Sequence, residues 1–459
     1  MFRRGEAVAG CRLVPPRVAA LAFLLATLSA SSGSAQPAPG SLAAAADSAG
    51  GLAPTSAPPW NPPRAARVHE PWEMALNAPF TLASLPVRLL GAVLNSGLLV
   101  VQENNVVPRV QVMLSLSPPW GIGLRPANLG ERTGTAGAVT FEPNPERSWL
   151  RASLEGSTLR YGRGHAELGP RWLFAAYTHD WRPQEPYFGA GMDAREEDAS
   201  NFSLRRRSAE ARLRLHGGSA VRGAFESWAG EQRTVVRRGR ESGRPSLEEV
   251  FPQLAAATFD APQDHAVAGA RLSLDARAGR PHWTHGWRLA GQAEHFGHPL
   301  SGRGFLFPGD AASPAFSRTT LEAEAGFSFM RDPRTVRLSA RLVDTRAADA
   351  SQPPALHDLA VLGGAEGLSG FEPGRFQGMD LAIARLSYIF PLAQTAELEL
   401  SGEVGGVFGD VWRDAGLDRA EASYGVAYRL RTERAPVVAV GMDFSREAAR
   451  FRFSLGGVE

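Results

Sequence analysis

From about Gly134 to the C-terminus, apolar and polar residues alternate with period two in segments of roughly ten residues, the length a tilted strand needs to cross a membrane. In the final segment Phe451, Phe453 and Leu455 alternate with Arg452, Ser454 and Gly456. One face of such a strand is greasy and the other wet. The pattern predicts strands near 136–143, 149–157, 160–168, 171–181, 202–216, 219–230, 265–278, 285–298, 316–330, 334–346, 380–391, 396–409, 421–431, 436–444 and 450–457.

Long connections at 182–201, 231–264, 299–315, 347–379 and 411–420 alternate with tight ones around Gly217, Arg280, Pro333, Ala393 and Pro436. In single-chain bacterial barrels the strand number is even, periplasmic turns are short and extracellular loops long. With both termini periplasmic, 143–148 is a periplasmic turn and one more strand precedes residue 134. Segment 110–126 supplies it, through Val110, Val112, Leu114 and Leu116 or through Ile122 and Leu124. The expected fold is all-β, a transmembrane antiparallel β-barrel of sixteen strands within 108–459. A soluble sandwich or propeller would have to explain long strands with arginine at alternate positions and no blade repeat.

The residues before the barrel read differently. Arg3, Arg4, Arg12 and Arg17 precede an apolar run from Val18 to Leu28, so 1–35 is expected to be a secretory signal peptide cleaved after Ala35. The run is too short to span a bilayer as a helix. Residues 36–69, rich in Ala, Pro, Ser and Gly, predict a disordered periplasmic leader. Segment 70–107 predicts a periplasmic or interfacial helix, because Arg88, Asn95 and Gly97 interrupt its apolar stretch from Thr81 to Val101.

Composition then narrows the classes. The 49 cations, all arginine, nearly balance 47 acids, which gives a net charge of +2 and no reason to expect nucleic acid. With 44% hydrophobic residues and one long apolar stretch after the signal, a helical-bundle membrane protein is excluded. The single cysteine, Cys11, precedes the expected cleavage site. A disulfide scaffold, a thiolate metal site and a cysteine nucleophile are therefore excluded from the mature chain.

A glycine-rich stretch singles itself out: Leu362-Gly363-Gly364, then Gly367-Leu368-Ser369-Gly370-Phe371, Gly374 and Gly378, followed by a strand ending Tyr388-Ile389-Phe390-Pro391-Leu392. The glycines permit backbone conformations and approaches that side chains would block, while Phe371 and Phe376 offer buried area. Together with Glu403-Val404-Gly405-Gly406-Val407-Phe408-Gly409-Asp410 and the closing strand from Ala449 to Gly457, this stretch resembles the bacterial surface antigen superfamily, the BamA/TamA assembly factors and their relatives. The resemblance covers about 100 of the 459 residues.

It implies a long extracellular loop folded into the barrel, its tip Leu368, Ser369, Gly370 and Phe371 meeting an acidic residue of the inner wall, matched here by Glu403. Ser369 stands where the family carries arginine, so the family's loop-to-wall salt bridge is absent. Glu403 is then expected to face a wet lumen and to stay hydrated or to pair with Arg375 or with Arg385 of the next strand. The segment before the first strand is too short for a periplasmic POTRA module together with the helix, and the chain ends Gly457-Val458-Glu459 instead of on an aromatic residue. Gly456 and Gly457 end the closing strand, where glycine weakens pairing and a seam is expected to be held by few bonds. The implied setting is the outer membrane, with its lipid and lipopolysaccharide, the barrel assembly machinery for insertion, and a protein or lipid substrate. Neither a cofactor nor catalysis is implied. A passive channel is the alternative, and a membrane hydrolase a more distant one.

Other candidate chemistry is weaker. His282 with His285 and His295 with His298 suggest metal ligands, but the pairs fall at opposite ends of one strand, some 30 Å apart at roughly 3.3 Å per residue. Interfacial histidines beside the girdle residues Trp283, Trp287 and Phe296 fit better. Gly367-Leu368-Ser369-Gly370 lacks the full Gly-x-Ser-x-Gly spacing and the strand-turn-helix context of a nucleophile elbow. A hydrolase would need His165, His179 or His216 to meet a partner on the wall. Arg205-Arg206-Arg207 fits a solvated strand end, a lumen lining or a lipopolysaccharide contact.

Overall fold

The computed structural model describes residues 121–455 apart from 128, 130–132, 134–135, 144–148, 220, 260–261, 278–284, 300–306, 308–312, 330–333, 365–366, 394–395 and 432–435. The expected signal peptide, leader and helical segment, together with Gly456 and Gly457, lie outside the described residues.

The strands are β1 (Ile122–Ala127), β2 (Ala136–Phe141), β3 (Leu150–Ser157), β4 (Gly162–Leu168), β5 (Leu173–Tyr187), β6 (Ser200–Gly217), β7 (Arg222–Arg238), β8 (Gln263–Asp275), β9 (Gly286–Gly297), β10 (Phe316–Phe329), β11 (Arg334–Ala347), β12 (Ala360–Leu362), β13 (Phe376–Gly378), β14 (Asp380–Ala393), β15 (Ala396–Phe408), β16 (Glu421–Arg431), β17 (Pro436–Phe444) and β18 (Ala449–Leu455). Sixteen of them form one antiparallel sheet in chain order, while β12 and β13 pair only with each other inside the connection between β11 and β14. Of the two segments offered for the first strand, the one with Ile122 and Leu124 forms β1, and the one with Val110, Val112, Leu114 and Leu116 lies outside the described residues.

The alternation sorts side chains in the sense opposite to a soluble sandwich. On β18 Phe451 and Phe453 are exposed, whereas Arg452 Nε, between them, lies 3.2 Å from Asp443 of β17. On β3 Leu150 and Leu154 are exposed and Arg151 donates to Glu167 of β4 at 2.6 Å. Further round, Arg163 meets Asp180, Arg212 lies between Glu210 and Glu226, and Arg271 reaches Glu322. An apolar outer face over an ion-paired inner one suits a lipid solvent. Among the described residues no helix is long and apolar enough to cross a membrane.

Two strands run further than their alternation predicts: β5 reaches Tyr187 and β7 reaches Arg238. Their upper ends lose the one-sided pattern because the connection after β7 folds over them. Its helices α1 (Leu247–Val250) and α2 (Pro252–Thr258) join Tyr187, Phe202, Leu204, Val236 and Leu356 in a buried cluster.

The sheet curls around the long connection after β11. Arg375 of that connection bonds both Ala194, after β5, and Glu447, after β17. Those two connections lie far apart in the strand order, so one side chain reaches both only if the sheet wraps round it. β1 and β18 are the edges, each pairing with one neighbour among the described residues.

Candidate functional site

The connection 348–379 enters the barrel as a narrow hairpin. Ala360, Val361 and Leu362 pair with Gly378, Gln377 and Phe376, and the tip between them is closed by its own backbone bonds, Gly363 N–H to Gly367 O and Phe371 N–H to Leu368 O among them. Gly363, Gly364, Gly367 and Gly374 all have positive φ. At Gly363 a side chain would in addition meet Glu372 O at 2.3 Å. Leu368 also adopts positive φ, +57°, and is fully buried. A branched residue held there is strained, and packing holds it: Leu362, Leu368, Phe371 and Phe376 form one apolar cluster with Val343, Leu381 and Val407 of the wall.

Strand register builds the wall opposite the tip. Arg385 of β14, Glu403 of β15 and Ser423 of β16 are cross-strand partners in one row, and the pleat turns all three to the same face. Glu403 Oε2 accepts from Ser369 N–H at 2.6 Å, Ser369 Oγ at 2.9 Å and Ser423 Oγ at 2.8 Å, and Arg385 Nη1 lies 3.1 Å from Oε1. Arg385 continues to Glu399 at 3.1 Å, which Arg429 also contacts. The expectation of a hydrated carboxylate is thus corrected: Glu403 is 5% exposed. Ser369 supplies two donors to the carboxylate, its hydroxyl and its own backbone N–H, because the tip approaches the wall closely. Gly370 permits that approach, since a Cβ there would lie 2.5 Å from the Phe444 carbonyl.

Arg375 is not a partner of Glu403. Its guanidinium, 3% exposed, lies 3.0 Å from Glu447, donates to Ala194 O at 2.7 Å and stacks on Phe376 and Phe188. Glu372 pairs with Arg244 at 2.7 Å, and Gln377 donates to Pro186 O at 3.1 Å. Nothing in residue spacing pointed to Glu447, Ala194 or Arg244, because these partners sit on other connections.

At the base of the hairpin Asp358 is held by Arg206 at 3.2 Å, and Arg318 donates to its carbonyl. The His357 side chain is 1% exposed and lies 3.4 Å from Asp358 Oδ2. Burial pushes its pKa down to about 4, with Asp358 opposing and Arg206 and His265 adding. Below the tip is a cavity of about 300 Å³ lined by Arg288, Glu322, Arg341, Arg385 and Glu403.

The remaining candidates fall elsewhere. His295 bonds Ser317, and His165 is held between Thr178 and Glu167. Among the described residues no cluster of three or more His, Asp or Glu could hold a metal ion.

An antiparallel sixteen-stranded sheet, apolar outside and ion-paired inside, with one connection folded back onto its inner wall, is the architecture of a transmembrane β-barrel with an internal loop. No protein-family model and no curated protein matches the chain. Among solved structures it is similar to BamA from Haemophilus ducreyi lacking POTRA domains 1–3, at 10% identity over 76% of each chain with a TM-score of 0.47. CdiB from Escherichia coli matches at 13% identity over 72% of this chain and 59% of that one, TM-score 0.43. For CdiB from Acinetobacter baumannii the values are 12%, 72%, 56% and 0.37.

Proposed function

We propose that the chain works in the outer membrane as a barrel that is closed at rest and takes part in inserting or moving outer-membrane protein or lipid, its internal hairpin being the element that must shift. The observation carrying this reading is the docking of the tip on the inner wall, Ser369 on Glu403 with the apolar cluster behind it. A passive channel is the second reading, favoured by the charged cavity below the tip.

Planar-bilayer conductance separates the two. The first reading expects small, intermittent currents that become large and steady when residues 360–378 are deleted; large, stable currents in the intact protein support the channel. Proteoliposomes supplied with an unfolded outer-membrane barrel protein, scored by the heat-modifiable mobility of that substrate, test the insertion role. No acceleration over empty liposomes would remove it.

A further inference from the structure

We propose that the outer surface of β5 and β6 binds the phosphate groups of an outer-leaflet glycolipid, of the chemistry of diphosphoryl lipid A. This rests on the reading that the strands span the outer membrane.

Three consecutive arginines divide by the pleat of β6. Arg206 turns inward to Asp358, so Arg205 and Arg207 turn outward, on the parity of the exposed Leu215. Their cross-strand partners on β5 are Trp181 and His179. Arg205 and Arg240 both lie on the Trp181 ring, at 5.8 and 5.9 Å from its centroid. Arg207 faces Arg233 of β7, which Asp264 neutralises at 2.6 and 2.7 Å. Arg205, Arg207 and Arg240 have no carboxylate at ion-pair distance among the described residues, and His179 Nε2 is covered without a hydrogen-bond partner.

Height places this patch. The outward residues of β6 below it are Leu215, Leu213, Ala211 and Ala209. From Leu215 to Arg207 the strand climbs about 26 Å, or about 20 Å along the membrane normal at a tilt of ~40°. An apolar band is about 25 Å tall, so the arginines stand at its upper edge, with Trp181 in the aromatic girdle. Guanidinium groups bind phosphate in a bidentate manner. Cations at that height with no acid of their own take their counter-charge from the lipid.

Protein purified in neutral detergent is titrated with diphosphoryl lipid A, with the same lipid stripped of its phosphates, and with inorganic phosphate, occupancy being read by native mass spectrometry. We expect the phosphorylated lipid to bind about tenfold more tightly than the stripped one, and Arg205→Gln with Arg207→Gln to remove that difference. Millimolar inorganic phosphate should not displace the lipid. Equal binding of the two lipids, undiminished binding by the double variant, or displacement by inorganic phosphate would each overturn the proposal. Heat-modifiable mobility and insertion into phosphatidylcholine liposomes are followed on the same samples. A protein that fails to insert overturns the membrane reading itself, whereas insertion without phosphate preference overturns only the site.

Discussion

Ser369 places two donors, its backbone N–H and its hydroxyl, on a single oxygen of Glu403. Removing the hydroxyl leaves the stronger bond in place, so Ser369→Ala should cost about 1 kcal/mol. Glu403→Gln also weakens the bonds to Ser423 and Arg385, and should cost about 2–4 kcal/mol. Ser369→Arg should destabilise, because Arg385 already occupies the other carboxylate oxygen; adding Arg385→Ser should recover the loss. Melting of the four variants in detergent checks this. A Ser369→Arg variant that melts above the wild type would show that the tip sits differently.

The Arg375–Glu447 pair is nearly dry, and breaking such a pair strands a buried charge. Arg375→Ala should loosen the hairpin by about 3 kcal/mol, seen as faster hydrogen exchange over 360–378 with little change in the strands. Arg375→Lys should not rescue it, since one ammonium cannot serve both Glu447 and Ala194 O while stacking on Phe376. Full rescue by lysine would mean that only the charge matters.

Acid should release the hairpin from its base. His357, with a pKa of about 4 when docked against an ordinary 6.5, is neutral in place. The undocked form takes up its proton first, so docking is strongest above about pH 6.5 and weakens as pH falls toward 4. The limit is on the order of 3 kcal/mol, at 1.36 kcal/mol per pH unit. Protease cleavage within 348–358 in proteoliposomes should rise across that window, and His357→Gln should flatten the rise. An unchanged profile in the variant would assign the effect to another group.

The strand order predicts which connections lie outside the cell. A protease-accessible tag at Gly243, which has open space around it, should be cleaved on intact cells; protection there would reverse the topology.

These tests divide between what residue order reveals and what it hides. Alternation located β18 and β16 because lipid and lumen solvate the two faces of a strand differently. It failed above Trp181 on β5 and above Gly230 on β7, where the connection after β7 covers the strand ends. Residue types marked the tip, Ser369 and its glycines, and the wall residue Glu403. Which cation would serve that wall stayed open between Arg375 and Arg385, because strand register fixes Arg385 there while Arg375 turns to a different connection.

The hairpin's clasp also sets an order of events in biogenesis. Arg375 and Ala194 are 181 residues apart, and Gln377 and Pro186 are 191 apart, while Glu447 follows Arg375 by a further 72. Contacts of such separation form late, because chain closure must precede any reward from them. Glu447 lies in the turn between β17 and β18, so an assembling polypeptide lacks the second jaw of the clasp until that turn is delivered. Docking of the hairpin therefore waits for the β17–β18 turn, and a protein stalled before that turn should leave residues 360–378 open to proteolysis.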